Sequence, residues 1–207
     1  MDKKFSITIG RQLGSGGRQI GEKLASQLGI FFYDKKLIQI ASHESGLGKE
    51  FFEKVDEKTR HHFLGGRLAI FGSLGSGNYS GNYLSNERLF TIQSDVIEKL
   101  AKEKSAVFVG RCADYVLKSN PLCINIFISA DMNDRIKHVS EKQNLSGKQA
   151  KELIEKMDKN RTDYYNYFSN KVWGNATSYH LCVNSSVLGI DETVNFIRQF
   201  VIQKFEL

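Results

Sequence analysis

Short apolar runs alternate along the chain with longer segments in which apolar residues recur at helical spacing. Five runs are apolar on both faces, as in the buried strands of a parallel sheet: Phe5–Ile9, Ile30–Tyr33, Ala106–Gly110, Cys123–Ser129 and Tyr179–Asn184. Helical spacing is clearest over Gly17–Leu28, Asn86–Lys104 and Asp191–Phe205. Strands that alternate with helices imply parallel crossovers. The pattern therefore predicts one three-layer α/β domain over residues 1–207, with a five-stranded parallel core.

The segment between the second and third predicted strands is far longer than one crossover needs, and it predicts an insertion at about 45–90. Helical patterns cover Asp34–Ser42 and Lys49–Phe63, and a Gly/Ser/Asn-rich stretch follows over Gly65–Asn82. Such a long stretch is usually functional or disordered. A disordered surface linker is one interpretation. Its interleaved aromatic residues favour the other, ordering on a ligand or on a partner subunit of a homodimer.

A second helical insertion is predicted at about 131–173. Charged helical patterns run over Asp131–Gln143 and then from Gly147 to Tyr165. Ser146 is suited to cap the second of these helices at its N-terminus. Mixed charges on a helix usually form a solvated face. One interpretation of the lysines on the second helix is therefore that they face the solvent.

A glycine-rich turn joins the first predicted strand to the first predicted helix. Glycines let backbone N–H groups turn toward an anion and approach it closely. The positive end of the helix dipole points to the same place. We therefore predict a nucleotide-phosphate site made of Gly14, Ser15, Gly16, Gly17, Arg18 and Gln19. A glycine-rich turn without a ligand is the alternative.

This turn departs from the usual phosphate loop, G-x-x-x-x-G-K-[ST]. Gly17 occupies the lysine position, and Arg18 stands where a magnesium-binding Ser or Thr is usual. Arg18 or Arg11 could supply the missing charge. Because one lost phosphate contact costs a few kcal/mol of transition-state stabilisation, roughly 3, weak or altered activity is an expectation as well.

Composition narrows the partner classes. The net charge of +6 suits an anionic ligand such as a nucleotide, and the lack of a dense basic run argues against nucleic acid. Cys112, Cys123 and Cys182 lack metal-ligand spacing and are predicted to be reduced core thiols. Neither a signal peptide nor an apolar run of membrane-spanning length is evident. We therefore expect a cytoplasmic protein without a membrane partner.

Six segments carry the chemically distinctive residues in order along nearly the whole chain: Gly10–Arg18, Phe32–Ile38, Val109–Tyr115, Asp158–Arg161 with Tyr164 and Tyr165, Trp173–Gly174 and Asn184–Ser186. Together they resemble the P-loop nucleoside monophosphate kinases and, more closely, the cytidylate kinase-like family of bacterial proteins. The resemblance implies the kinase fold, with its phosphate loop after strand one. The family's loop also lacks the lysine, so this departure is a feature of the family.

The resemblance implies ATP and Mg²⁺ as cofactors and nucleotides as substrates. The loop Gly14–Arg18 would hold the phosphates of ATP, and Asp34, Arg111 and Asp114 would bind the acceptor. Asp34 and Arg111 also follow predicted strands, where ligands of open α/β sheets bind. The alternatives are a helix N-cap for Asp34 and a surface arginine for Arg111. The metal ligands stay open.

Arg161 and Arg135 resemble the arginines of the mobile lid that such kinases close over the transferred phosphoryl group. Phosphoryl transfer needs aligned reactants, exclusion of water and cations on the phosphoryl oxygens, and no nucleophilic side chain. We therefore expect Arg161, helped by Arg18 and Arg135, to be catalytic. The aromatic segment Tyr164–Trp173 is predicted to pack in the core or lid and not to stack on a base.

The leading hypothesis is ATP-dependent phosphoryl transfer to a nucleoside monophosphate such as CMP or dCMP. The alternative is a catalytically weak or inactive nucleotide-binding regulatory protein of the same fold. Gly17 favours the regulatory protein, whereas Arg111, Arg135 and Arg161 favour the enzyme.

Overall fold

Five parallel strands form one sheet in the computed structural model, which describes residues 4–35, 38, 40 and 83–207. The strands are β1 Ser6–Arg11, β2 Phe31–Tyr33, β3 Ala106–Val109, β4 Cys123–Ser129 and β5 Leu181–Asn184. Their order across the sheet is β2-β3-β1-β4-β5, and each neighbouring pair is parallel. The predicted five-stranded parallel core is confirmed, with β1 at its centre.

Burial distinguishes the three inner strands from the two edge strands. Residues 6–9 of β1 and all of β3 are buried, and in β1 the burial includes the hydroxyl side chains of Ser6 and Thr8. Phe31 on edge strand β2 is 48% exposed. Cys182 on the other edge strand is also exposed, whereas Cys112 and Cys123 are buried. The prediction of a core thiol was therefore wrong for Cys182, because the outer side of β5 has no neighbouring strand.

Helices cover both faces of the sheet. Those of the described residues are α1 Gly17–Leu28, α2 Tyr83–Glu103, α3 Ala113–Val116, α4 Met132–Gln143, α5 Gly147–Ser169 and α6 Ser185–Phe205, with a 3₁₀ turn at Ala176–Ser178. On one face α1 and α6 enclose an Ile/Val/Leu core. On the other, residues of α2 and α3 pack on Phe108 and Cys123. These are the three predicted layers.

The structure refines several helix boundaries. Helix α6 begins six residues before the predicted Asp191 and is kinked at Gly189 (φ 73°, ψ 175°). Helix α5 continues past Tyr165 to Ser169. Ser146 does cap α5: its Oγ accepts the Gln149 N–H at 3.3 Å, and the Gln149 side chain accepts the Ser146 N–H at 3.0 Å. This reciprocal pair fixes where α5 starts.

The second predicted insertion contains α4 and α5, which pack on each other through Val139, Ala150 and Ile154. Leu13 of the glycine-rich turn lies against this small cluster. Most of the predicted insertion at 45–90, including the stretch Gly65–Asn82, lies outside the described residues. Of the helices in the described ranges, none is both long and apolar enough to cross a membrane.

Candidate functional site

The turn between β1 and α1 takes a shape that requires glycine at two positions. Gly14 and Gly16 have φ angles of 83° and 73°, a region that side chains disfavour. A Cβ on Gly14 would lie 2.8 Å from the backbone oxygen of Arg135, and one on Gly16 would lie 2.1 Å from Ile190 Cδ1. The glycines therefore allow the turn to fold tightly against α4 and α6.

Side chains from α4, α5 and α6 hold the backbone of this turn. Asp158 Oδ1 accepts the Leu13 N–H at 2.8 Å, and Arg135 Nε donates to the Leu13 carbonyl at 2.8 Å. Arg135 Nη2 also forms an ion pair with Asp158 Oδ2. Ser185 Oγ donates to the Ser15 carbonyl at 2.8 Å. These contacts fix the backbone of the turn, and the catalytic role of Arg135 stays a prediction.

The first turn of α1 keeps its backbone donors clear of side-chain caps. Helix α1 begins at Gly17, with Gly16 in the N-cap position and no side-chain hydrogen bond there. The first N–H groups of a helix have no partner within it, so they are suited to an anion. Gln19 is exposed, and only its backbone belongs to this turn. The turn therefore fits the phosphate chain of a nucleotide.

Four cationic side chains lie beside this turn and form what we call the cation cluster: Arg11, Lys35, Arg111 and Arg161. Arg11 ends β1, while Lys35 and Arg111 follow β2 and β3 by two residues each. Arg161 reaches in from α5, where its Nη1 donates to the Arg11 carbonyl at 2.9 Å and approaches Asp158 Oδ1 at 3.4 Å. The cluster therefore lies at the carboxyl edge of the sheet, where ligands of such sheets bind.

Burial and mutual repulsion destabilise the charged forms of this cluster. Burial, then Arg161 and Arg111, lower the pKa of Arg11 to about 9, although Asp34 and Asp158 act in the opposite direction. Burial and the three arginines lower the pKa of Lys35 to about 8. Positive charge thus exceeds the negative charge available nearby. A bound anion would remove that imbalance.

Arg111 is positioned by an uncommon backbone turn. Gly110, Arg111 and Cys112 have successive φ angles of 80°, 59° and 52°, although two of them carry side chains. Left-handed non-glycine residues cost roughly 1–3 kcal/mol each and concentrate at functional sites. The Arg111 guanidinium lies over the Tyr164 ring, 5.4 Å from its centroid, with Nη1 3.5 Å from Gln93 Oε1.

Arg18 points away from the turn between β1 and α1. Its Nε donates to Asp34 Oδ2 at 2.8 Å, its Nη1 pairs with Glu22 at 2.9 Å, and its side chain is 55% exposed. The structure thus brings together two predicted site residues, Arg18 and Asp34, as an ion pair. The catalytic role of Arg18 and the acceptor role of Asp34 stay predictions.

Asp114 lies in a buried hydrogen-bonded pair. Its Oδ2 accepts the Tyr165 hydroxyl at 2.7 Å. Burial raises the pKa of Asp114, against the hydrogen bond, and burial also raises the pKa of Tyr165. The pair ties α3 to α5 near Arg111, and the acceptor role of Asp114 stays a prediction.

The aromatic segment Tyr164–Trp173 packs against other rings. Phe168 stacks on Phe90 at 4.1 Å, and Trp173 meets Phe127 edge-on at 5.2 Å. Tyr167 is more than half exposed. These contacts agree with packing for Phe168 and Trp173, and whether any ring touches a base stays a prediction.

The carboxylates near the turn do not by themselves form a metal centre. Within residues 4–35 and 83–207, no three His, Cys, Asp or Glu side chains converge to hold an ion. Asp34 and Asp158 each pair with arginine. Magnesium often keeps several waters and takes one or two carboxylates together with substrate phosphates. The residues present therefore fit an ion held mainly by the nucleotide.

Two functional candidates were not assigned from sequence. Asp158 contacts the turn backbone and two arginines, and its spacing to Arg161, three residues along a helix, was the available signal. Lys35 joins the cation cluster only because β2 and β3 are neighbours in the sheet. Strand order of this kind is not visible in a local pattern.

Comparison with known proteins agrees with this architecture. The chain is similar over 97% of its length to 99% of an uncharacterized protein of Eubacterium ventriosum, at 26% identity and TM-score 0.74. Shikimate kinases of Bacteroides thetaiotaomicron and of Acinetobacter baumannii, the latter in complex with shikimate, share the fold at TM-score 0.52. They are 13% and 14% identical, over 98% of this chain and 99% and 96% of theirs.

These likenesses confirm the predicted P-loop kinase-like fold.

A search of the curated proteins found no match. Residues 6–187 match the cytidylate kinase-like family. Since that match extends over most of the chain, the protein belongs to the cytidylate kinase-like family.

Proposed function

We propose that the protein is a kinase that transfers the γ-phosphoryl group of ATP to a nucleoside monophosphate, most simply CMP or dCMP. Membership of the cytidylate kinase-like family and the kinase fold support phosphoryl transfer. The acceptor class rests on the family resemblance and on the arginine-rich strand ends. Arg111 follows the strand next to β1, beside the position proposed for ATP.

The observation that carries the proposal is the juxtaposition of two anion-binding features. The uncapped start of α1 supplies backbone N–H donors, and the cation cluster lies beside it at the carboxyl edge of the sheet. A bisubstrate phosphoryl transfer brings together two phosphorylated molecules, so it needs both features. A turn that only binds one nucleotide has less use for Arg111 and Arg161.

The proposed chemistry follows from these positions. The turn Gly14–Arg18 would orient the triphosphate, and Arg111 would bind the acceptor phosphate by its planar fork. An oxygen of the acceptor phosphate forms a bond to the γ-phosphorus as the bond from that phosphorus to the ADP oxygen breaks. Arg161 would stabilise the charge on the transferring group, and α4 and α5 would help to exclude water.

Magnesium, when bound with ATP, would neutralise part of the charge of the phosphates. Ser15 is buried, and its hydroxyl donates to the Gln12 carbonyl at 2.9 Å. Asp34 lies at the same edge of the sheet, directly after β2, where its Oδ2 accepts a hydrogen bond from Arg18 Nε. Asp34, helped by water, would support the ion.

One observation favours the second candidate function, a nucleotide-binding regulator with weak or no turnover. Gly17 removes the loop lysine, and Arg18 is occupied by Asp34 and Glu22. Both functions predict ATP binding. Only the kinase predicts that ADP forms in proportion to a phosphorylated acceptor.

A coupled ADP-release assay with ATP, Mg²⁺ and each nucleoside monophosphate tests the proposal. Arg111→Ala is expected to raise the acceptor KM by about tenfold or more, the scale of a lost charge-assisted contact. ATP affinity should be unchanged. Arg198→Ala, at an exposed position of α6, is the matched control. Tight ATP binding by the wild-type protein with no transfer to any monophosphate would refute a kinase of this acceptor class.

ATP affinity is expected to fall as the pH rises through about 8. Lys35 in the free protein loses its proton there, since burial and the neighbouring arginines lower its pKa to about 8. A phosphate ligand favours the protonated amine and raises its pKa, so affinity is highest below pH 8. Above it, affinity should fall by up to about tenfold per pH unit.

Calorimetric titration of ATP between pH 7 and pH 9 at constant ionic strength measures this effect. The Lys35→Met variant should bind ATP more weakly than the wild type at pH 7. Its ATP affinity should not fall as the pH rises through about 8. Little further decline should remain up to pH 9, because the arginine guanidinium groups stay charged over this range. A Lys35→Met profile parallel to that of the wild type would show that this amine does not meet the phosphates.

A further inference from the structure

We propose that Arg11 supplies the positive charge that a phosphate-loop lysine would otherwise place on the triphosphate. This inference rests on the proposed function. It identifies the residue that compensates for the absence of a lysine at position 17. Sequence left the choice between Arg11 and Arg18 open. The geometry of the turn distinguishes them.

The Arg11 side chain extends from Gly17, at the start of α1, to Gly110, in the turn after β3. A Cβ on Gly17 would lie 2.5 Å from Arg11 Cβ and 3.0 Å from its Cγ, so the stem passes directly against the first residue of α1. A Cβ on Gly110 would lie 2.2 Å from Arg11 Nη1, so the guanidinium rests on the turn after β3. Glycine at both ends thus gives this side chain its path.

The absence of a side chain at position 17 and the placement of Arg11 therefore depend on each other. Any side chain at position 17 would collide with the stem of Arg11. Gly17 lies at the start of α1 with an ordinary negative φ angle, since it is not among the positive-φ glycines. Its backbone therefore does not require glycine, and the contact with Arg11 does.

Arg18 lacks the position and the availability for this role. It pairs with Glu22 and Asp34, and more than half of its side chain is exposed. Its guanidinium also lies 5.5 Å from the centre of the Phe32 ring. The contacts with Asp34 and Phe32 hold it on the side of α1 that faces β2.

Arg11 is held where its charge has too little compensation. In the described part of the chain, no carboxylate lies within ion-pair distance of its guanidinium, while Arg161 and Arg111 repel it. Arg161 donates to its backbone carbonyl, which fixes the residue from the α5 side. A cation kept partly buried among other cations is costly unless an anion completes the site. Arg11 therefore has the properties of a binding residue and not of a stabilising one.

Calorimetric titration with inorganic tripolyphosphate tests the assignment without reference to any acceptor. Arg11→Gln is expected to weaken binding by about 10–100-fold, the range for a charge-assisted contact to phosphate. Its melting temperature should be equal to or above that of the wild type, because repulsion is removed. A structural arginine would instead lower the melting temperature. Arg198→Gln is the matched control.

A rescue experiment keeps the test decisive if Arg11→Gln folds poorly. Arg11→Gly removes the Cβ that blocks position 17, so Gly17→Lys can be added to it. The double variant should bind tripolyphosphate at least tenfold more tightly than Arg11→Gly with Gly17→Ala, which has the same backbone change without the amine. Equal binding by the two double variants would overturn the assignment.

The outcomes separate this assignment from the proposed function. Wild-type affinity in Arg11→Gln, or a larger loss in Arg18→Gln, would overturn the role of Arg11 and leave the kinase intact. Loss of tripolyphosphate binding in Arg11→Gln, in a protein that transfers to no monophosphate, would support the role of Arg11 and refute the kinase.

Discussion

Arg161→Lys is expected to lower turnover by about 10²-fold while changing ATP affinity little, the scale of one lost transition-state donor. The arginine projects from α5 to the end of β1, where Nη1 donates to the Arg11 carbonyl. Within the described part of the chain, its Nε and Nη2 make no hydrogen bond, and we propose that they contact phosphoryl oxygens. Lysine retains the charge but loses the planar fork that grips two oxygens.

Single-turnover rates and ATP titrations of the same preparations measure the two effects separately. Arg198→Lys makes the same chemical change at an exposed position and should be silent. If Arg161→Lys turns over at the wild-type rate on an acceptor that the protein phosphorylates, the assignment of Arg161 to the lid is wrong.

Asp158→Ala is expected to lower the free energy of unfolding by about 3–5 kcal/mol, the cost of leaving a buried charge without its partner. The Arg135 side chain is 5% exposed and that of Asp158 is 15% exposed. Removing the carboxylate also leaves the Leu13 N–H without its acceptor. Removal of the Asp158 carboxylate should therefore destabilise the turn between β1 and α1 as well as α5.

Chemical denaturation of both proteins measures the difference. Asp163→Ala on the same helix is the control, because Asp163 is 45% exposed and pairs with Lys159 at 3.4 Å. Such surface pairs contribute about 0.3–0.5 kcal/mol. Equal stability losses in the two variants would show that the pair of Arg135 and Asp158 is not a structural centre of the turn.

The fold was largely accessible from the sequence because its signals are local. The mainly apolar runs on β3 and β4 reflect burial on both faces of a parallel sheet, and α1 has the boundaries that its periodicity and glycines predict. Which strands lie at the edges of the sheet could not be predicted from the sequence. Cys182 sits on a strand like the others, yet its exposure follows from having no strand beyond β5.

The candidate site was accessible only in part. The glycine turn was predicted because tight backbone geometry restricts residue type. The partners of Arg135 were not, since Asp158 lies 23 positions away on another helix. Nor does a local pattern reveal that Asp114 is buried against Tyr165, because that contact joins residues 51 positions apart.

By itself, the sequence determined a parallel α/β domain with a glycine-rich turn after the first strand and no loop lysine, because propensity, periodicity and glycine spacing act over a few residues. The tertiary structure decided which charges meet. Strand order brings Lys35 and Arg111 to Arg11, α5 brings Arg161, and the ion pair with Asp34 turns Arg18 away. Electrostatic interactions depend on distance in space and on burial, and neither can be read from separation along the chain.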